Sequence, residues 1–216
     1  MNGMGPSPGR RTRTPSARVP RELLRAAESV LVREGVAGLT VRAVAAEAGI
    51  AQMGVYNRLG GKAGLVAGLA ATGFARLRAC IEVHDEPGVR DRLRACCLRY
   101  REFALANPHF YGLMFDEGAF YDRGSAEVGD HAAACFGVLL RHVELAAAGG
   151  TLGAPDEREA AQQIWGALHG AVALELRGIV QTPDPEATYQ ALLDTILRGL
   201  RPMLIDEETR PRGGRG

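Results

Sequence analysis

Apolar residues recur at helical intervals along most of the chain, and clusters of glycine and proline interrupt them. Pro20 suits the first turn of a helix, and Leu23, Leu24, Ala27, Val30 and Leu31 then form one stripe that Gly35 stops. After the connection "GVAGLT", Thr40 is placed to cap a second helix carrying Val41, Val44, Ala45 and Ala48, which Gly49 ends. Ile50 then plugs the turn. Residues 51–59 read as a third short helix with Val55 towards the core, stopped by Gly60 and Gly61. Longer helical segments follow over roughly residues 63–83, 89–106, 109–116, 125–148, 156–180 and 185–203, with "DEPG", "NPH", "DEGAFYDRG", "GGTLGAPD" and "TPDP" as the breaks. The pattern predicts an all-α fold.

Composition agrees with that class. Of 216 residues, 46% are hydrophobic and 24% charged, as in a soluble globular protein, while aromatics are few and alanine, leucine and arginine abundant. The net charge of +1 conceals an asymmetry. Residues 1–78 carry 12 basic and 4 acidic side chains, a net of +8, and residues 79–216 carry a net of −7. A cationic third joined to an anionic remainder suggests a polyanion-binding module on a domain with another task. Cys80, Cys96, Cys97 and Cys135 lack metal-ligand spacing and read as reduced thiols. The first twenty residues have no apolar stretch of the signal-peptide kind, and runs such as "AGLVAGLAATGFA" look too short and glycine-rich to span a bilayer. A cytoplasmic location is the expectation.

Two short helices joined by a glycine turn form the helix-turn-helix pattern, whose second helix enters the DNA major groove. The residues sharpen this. "LTVRAVAAEAGIAQMGVYNRLGGKAGLVAGL" closely resembles the DNA-binding segment of TetR/AcrR-family transcriptional regulators, through Thr40, Ala45, Ala48, Gly49, Ile50, Val55, Tyr56, Lys62 and Leu65. It departs from the family pattern with Leu59 for a usual Phe, Gly61 for a common capping Ser and Ala63 for a frequent Glu. Farther on, "ANPHFYGLMF" and "IWGALHGAVALEL" look like the C-terminal subgroup marked by Trp-x-x-x-His-Gly, here Trp165, His169 and Gly170. The expected organisation is a disordered basic arm over residues 1–19, an N-terminal three-helix helix-turn-helix domain over 20–66, a larger helical ligand-binding and dimerisation domain over 67–205 and a disordered tail over 206–216. The arm's Arg10, Arg11, Arg13 and Arg18 suit the DNA minor groove or phosphates as well as they suit a solvated tail.

Gln52 and Met53 stand where a recognition helix enters the groove. Gln52 can pair with adenine, Met53 can touch a thymine methyl, and Arg58 and Arg42 can reach a base or a phosphate. The resemblance implies that Tyr56, Lys62 and Thr40 hold phosphates, with Asn57 a further contact. Lys62, the only lysine in the chain, also begins the fourth helix, where free backbone amides add to the attraction for a phosphate. Gly54 is read as allowing close approach to the DNA backbone.

In the remainder, Tyr100, Phe103, Phe110, Tyr111, Met114, Phe115, Phe136 and Trp165 sit at helical spacing, for which core packing is the default reading. The resemblance implies a small-molecule pocket among these helices, with Tyr100, Phe103, Tyr111, Met114, Phe136, Trp165 and His169 as candidate lining. Trp165 and His169 are one turn apart and share a helix face. The last two helices carry stripes of Ile164, Leu168, Ala171 and Val172, and of Leu192, Leu193, Ile196, Leu197 and Leu200. Gly166, Ala167, Gly170 and Ala173 permit close helix approach, and the resemblance implies a four-helix bundle with a two-fold mate. The expected partners are therefore a double-stranded DNA operator, a small-molecule effector and a second copy of the chain. No catalytic motif, metal-ligand spacing or cofactor fingerprint appears, so neither catalysis nor a cofactor is expected. A ligand-independent architectural DNA binder and a helical small-molecule binder or enzyme stand as the alternatives.

Overall fold

The computed structural model describes residues 18–115, 126–153 and 156–201. Among them the regular elements are helices: α1 (Arg18–Gly38), α2 (Val41–Glu47), α3 (Gln52–Leu59), α4 (Lys62–Ile81), α5 (Val89–Ala106), α6 (Pro108–Phe115), α7 (Ala126–Ala148), α8 (Glu157–Leu176) and α9 (Pro185–Gly199). The basic arm up to residue 17 and the tail lie outside the described residues.

Local chemistry sets the first three helices. α1 breaks at Gly35, whose φ of 68° few side chains adopt, and one further turn follows to Gly38. The Thr40 hydroxyl accepts the Ala43 amide at 3.1 Å and caps α2. The α2–α3 turn is closed by the Ile50 amide donating to the Ala45 carbonyl at 3.0 Å. Val30, Leu31, Val44, Val55 and Leu65 are fully buried between these helices and the start of α4. At about 25 cal/mol per Å2 of apolar surface, each such side chain contributes roughly 1.5–3 kcal/mol against exposure.

α4 is the spine of the molecule. It packs on α1, α5, α6 and α7, and one apolar core runs without interruption from α1 to α9. The expected domain boundary at residues 66–67 thus falls inside a single helix. With 20 residues, α4 is long and apolar enough to cross a membrane by length and composition alone, but half of its apolar window is buried against its neighbours, as in a core helix. Arg76 on α4 grips Glu28 of α1 through two contacts of 2.6 and 2.7 Å and lies over the Phe110 ring of α6 at 5.0 Å.

The C-terminal helices are held by polar ties at the core's edge. Arg101 of α5 meets Glu175 of α8 in a bidentate pair at 2.7 and 2.8 Å, and the buried Tyr189 hydroxyl of α9 donates to the Cys97 carbonyl at 2.7 Å. Arg94 pairs with Asp194 across the same interface. Asp156 and Asp184 cap α8 and α9 by accepting first-turn amides.

Three boundaries differ from expectation. α1 begins at Arg18, because proline is tolerated in a first turn and the preceding residues can complete it. α8 stops at Leu176, where Gly178 with φ 67° turns the chain, and α9 stops at Gly199.

Candidate functional site

The burial of Val55 fixes the rotation of α3 and turns Gln52, Met53, Tyr56 and Asn57 outwards. Met53 is 65% and Tyr56 52% exposed, and two large apolar groups in water on one eight-residue helix want a partner. Arg42 is exposed on the neighbouring α2, and Thr40 lies at that helix's first turn. Arg58 donates to the Gly54 carbonyl at 3.1 Å, so its guanidinium lies back along α3. A methyl group at Gly54 would come within 3.0 Å of Ile50 and 3.1 Å of Arg58, so this glycine seats those two side chains within the protein.

Lys62 is the first residue of α4, directly after the turn that leaves α3. That turn depends on three glycines. Gly60 (φ 70°) donates to the Tyr56 carbonyl at 2.9 Å and ends α3. Gly61 (φ 85°, ψ −149°) lies beneath the Tyr56 ring, which a Cβ there would meet at 2.8 Å. A capping serine would therefore be strained at Gly61 and would displace the tyrosine. Sequence reasoning misses Gly64, yet a Cβ on it would lie 1.4 Å from the Leu59 carbonyl oxygen. Its only signal is a glycine in the first turn of a helix that would otherwise favour alanine. Together the turns set Gln52, Met53, Tyr56, Asn57 and Lys62 on the cationic third of the chain.

A second feature lies inside the C-terminal helices. A cavity of about 370 Å3 opens between α4, α5, α6, α7 and α8. Of the candidate residues, Tyr100, Met114, Phe136, Trp165 and His169 line it, and Phe115 joins them. Phe103 does not; it is buried elsewhere on α5, where core packing accounts for it. Tyr111 also stands behind the wall and acts through its hydroxyl, which lies 2.6 Å from Nδ1 of His169 and 2.9 Å from the Tyr100 hydroxyl. Tyr100 in turn lies 2.9 Å from the same Nδ1. The rest of the wall, including Phe74, Leu77, Ile81, Cys96, Cys97, Leu139 and Leu168, is aliphatic, thiol or phenyl and escapes sequence reasoning.

The cavity is a low-dielectric place. Burial pushes the Cys96 and Cys135 thiols up to about 12 and Cys97 well above its usual range. It also takes Tyr100 up to about 12, against opposing hydrogen bonds from Tyr111 and Trp165. These groups are neutral and poorly nucleophilic near neutral pH. No cluster of three or more His, Cys, Asp or Glu side chains is placed to hold a metal ion among the described residues.

The outer face of α8 and α9 is the third feature. Ile164, Leu168, Val172, Leu193 and Leu197 point into the chain's own core, so those stripes are not an external face. What faces outwards is Gly166, Gly170 and the 48% exposed Leu174, with half-buried Ala167, Ala171, Leu192 and Ile196 beside them. A groove of about 460 Å3 runs between the two helices there.

Residues 23–69 match the family described as bacterial regulatory proteins, tetR family, and residues 93–196 match the tetracyclin repressor-like C-terminal domain. No curated protein sequence matches this one. Among solved structures, a protein with unknown function from Rhodococcus sp. RHA1 is 30% identical, with 88% of this chain and 97% of that chain covered and a TM-score of 0.73. PfmR, a TetR family transcriptional regulator from Thermus thermophilus, is 19% identical over 84% of this chain and 99% of that chain, with a TM-score of 0.61. A bacterial regulatory protein in the tetR family from Rhodococcus RHA1 gives 19% identity, coverage of 88% and 98%, and a TM-score of 0.61.

Proposed function

Because this chain belongs to the TetR family of transcriptional regulators, we propose that it is a cytoplasmic, non-enzymatic repressor. In this reading it holds a palindromic operator as a homodimer and releases it when a small molecule enters the cavity. The observation that carries the reading is α4. One continuous helix starts at Lys62 beside Tyr56 and supplies Phe74, Leu77 and Ile81 to the cavity wall, so a change at one end is felt at the other. A ligand that fits only one position of α4 shifts the population towards it, by as much as its affinity differs between the two positions. Repression is released when the favoured position no longer sets two recognition helices about 34–36 Å apart.

On DNA, Gln52 and Met53 read base edges, with Arg42 and Arg58 on bases or backbone. Tyr56, Lys62 and Thr40 hold phosphates, and Asn57 adds a contact. The second copy docks on the outer face of α8 and α9. Gly166 and Gly170 sit in mid-helix, and a Cβ at either would meet nothing within 4 Å, so the chain's own packing does not require them. Each costs about 1 kcal/mol of helix stability relative to alanine. A closely approaching helix from a second copy gives that cost a purpose. A ligand-independent DNA binder would have no use for the cavity.

Fluorescence anisotropy of the full chain with DNA from its own promoter region tests the proposal. Binding should be specific, tight at moderate salt and two chains per operator. Equal affinity for unrelated duplexes of the same length would sink it. Gly170→Arg should yield a folded monomer in sedimentation with operator affinity lowered by at least about tenfold; an intact dimer would remove this face as the interface.

A further inference from the structure

The chemistry of the cavity wall narrows what can enter. None of its lining residues is Asp, Glu, Lys or Arg. A charged ligand would leave water without a fixed counter-charge, a cost that one hydrogen bond does not offset. His169 is the one lining residue able to become a cation, and its Nδ1 already faces two phenol hydroxyls.

The three polar atoms can be counted. Nδ1 offers one in-plane site, a lone pair or an N–H, so it bonds one hydroxyl well at a time. The shorter contact, 2.6 Å, belongs to Tyr111, which stands behind the wall. That leaves the Tyr100 hydroxyl as the oxygen bordering the cavity: its oxygen accepts from Tyr111 and Trp165, and its one proton remains to give. Around it the surfaces are flat. Phe115 and Trp165 lie 6.3 Å apart at 51°, and Phe136 and Trp165 6.2 Å apart at 66°, an arrangement that offers faces and edges to another ring. The volume is near the lower end of the roughly 300–1,000 Å3 typical of small-molecule sites.

We infer that the cavity takes an uncharged, compact aromatic molecule with one hydroxyl or carbonyl oxygen, bound to the Tyr100 hydroxyl while its ring lies among Phe115, Phe136 and Trp165. This rests on the reading of the cavity as the effector site, and it adds the chemical class of the effector.

The test uses the full chain and three probes of one shape: 1-tetralone, tetralin and 1,2,3,4-tetrahydronaphthalene-1-carboxylate. Calorimetry gives affinities, and a fluorescence change of Trp165, the only tryptophan, places each probe in the cavity. Tetralone should bind about tenfold more tightly than tetralin, the worth of one hydrogen bond. The carboxylate should bind at least about a hundredfold more weakly than tetralone. In Tyr100→Phe, tetralone should fall to the level of tetralin while tetralin stays within about twofold, which also shows that the variant's cavity is intact. Carboxylate binding equal to that of the ketone, an unchanged ratio in Tyr100→Phe, or no binding by any probe would overturn the inference. The same samples are titrated with promoter DNA. Loss of specific DNA binding counts against the regulator reading and leaves the probe ranking, which depends on the cavity alone, to decide the ligand class.

Discussion

Replacing Gly64 by alanine should damage DNA binding, although alanine is the better helix former. In an unhindered helix the exchange stabilises by about 1 kcal/mol. Here the new Cβ would lie 1.4 Å from the carbonyl oxygen of Leu59, a backbone atom that no rotamer change can move aside. To reach even a tight 3.0 Å contact, the Leu59 carbonyl must retreat by about 1.6 Å. Overpacking of this kind costs typically about 1–3 kcal/mol and outweighs the propensity gain. A net loss of up to about 2 kcal/mol should appear in urea unfolding, or as a fall in Tm of up to about 8 °C for a chain of this size. The larger effect should be on function, since opening this turn separates Lys62 from Tyr56 and Met53. Anisotropy with operator DNA should show at least about a tenfold loss, equivalent to 1.4 kcal/mol. Gly60→Asn is the matched control: a Cβ there meets nothing within 4 Å, and asparagine tolerates the φ of 70°. Parental stability and affinity in Gly64→Ala would refute the reasoning.

Other outcomes follow from the same structure. Lys62→Ala should weaken binding to every sequence and lower the salt slope by about one, whereas Gln52→Ala should cost about 1–3 kcal/mol and relax preference at a single operator position; equal loss of discrimination in both would show the roles misassigned. Arg76→Met should cost less than about 1 kcal/mol of stability, because the Glu28 pair is partly exposed, yet leave probe binding intact while reducing probe-induced release of DNA. Release at the parental level would remove the α1–α4 clamp from the coupling. The raised thiols and Tyr100 hold their protons more tightly folded than unfolded, so their stabilisation is complete below about pH 9 and is lost as pH climbs towards about 12. Urea midpoints at pH 7.5, 9 and 10.5 should fall in that order, and a flat profile would contradict the burial of these groups.

What is readable in the sequence is whatever needs a particular residue type locally. Thr40 announces a cap, and Gly49 and Gly60 announce turns, so α2 and α3 fall within a residue or two of their expected places. Gly64 is not readable, because its necessity arises from Leu59 approaching across a turn, a relation of space rather than of periodicity. The cavity divides along a similar line. Trp165, His169 and Tyr100 stand out as unusual residues in aliphatic helices, but Leu77, Ile81 and Leu139 facing a void look the same in sequence as leucines facing another leucine. Phe103 lies off the wall for the converse reason: an aromatic at helical spacing can pack on either side of it, and periodicity does not say which. The apolar stripes on α8 and α9 mark the buried side of each helix. The outward side is marked instead by Gly166 and Gly170, whose message is the absence of side chains.

The clamp between Glu28 and Arg76 divides α4 unequally. At 1.5 Å per residue, about 21 Å of helix lies between Arg76 and Lys62 and about 7.5 Å between Arg76 and Ile81. A rod pinned at that fulcrum has a mechanical advantage of roughly three in favour of the DNA end. A wall displaced by about half an ångström at Ile81 would swing Lys62 by about 1.5 Å, half the length of a hydrogen bond. The gain of such a regulator would then be set by where one arginine sits along a helix, and moving the Glu–Arg pair a turn towards Lys62 should lower it.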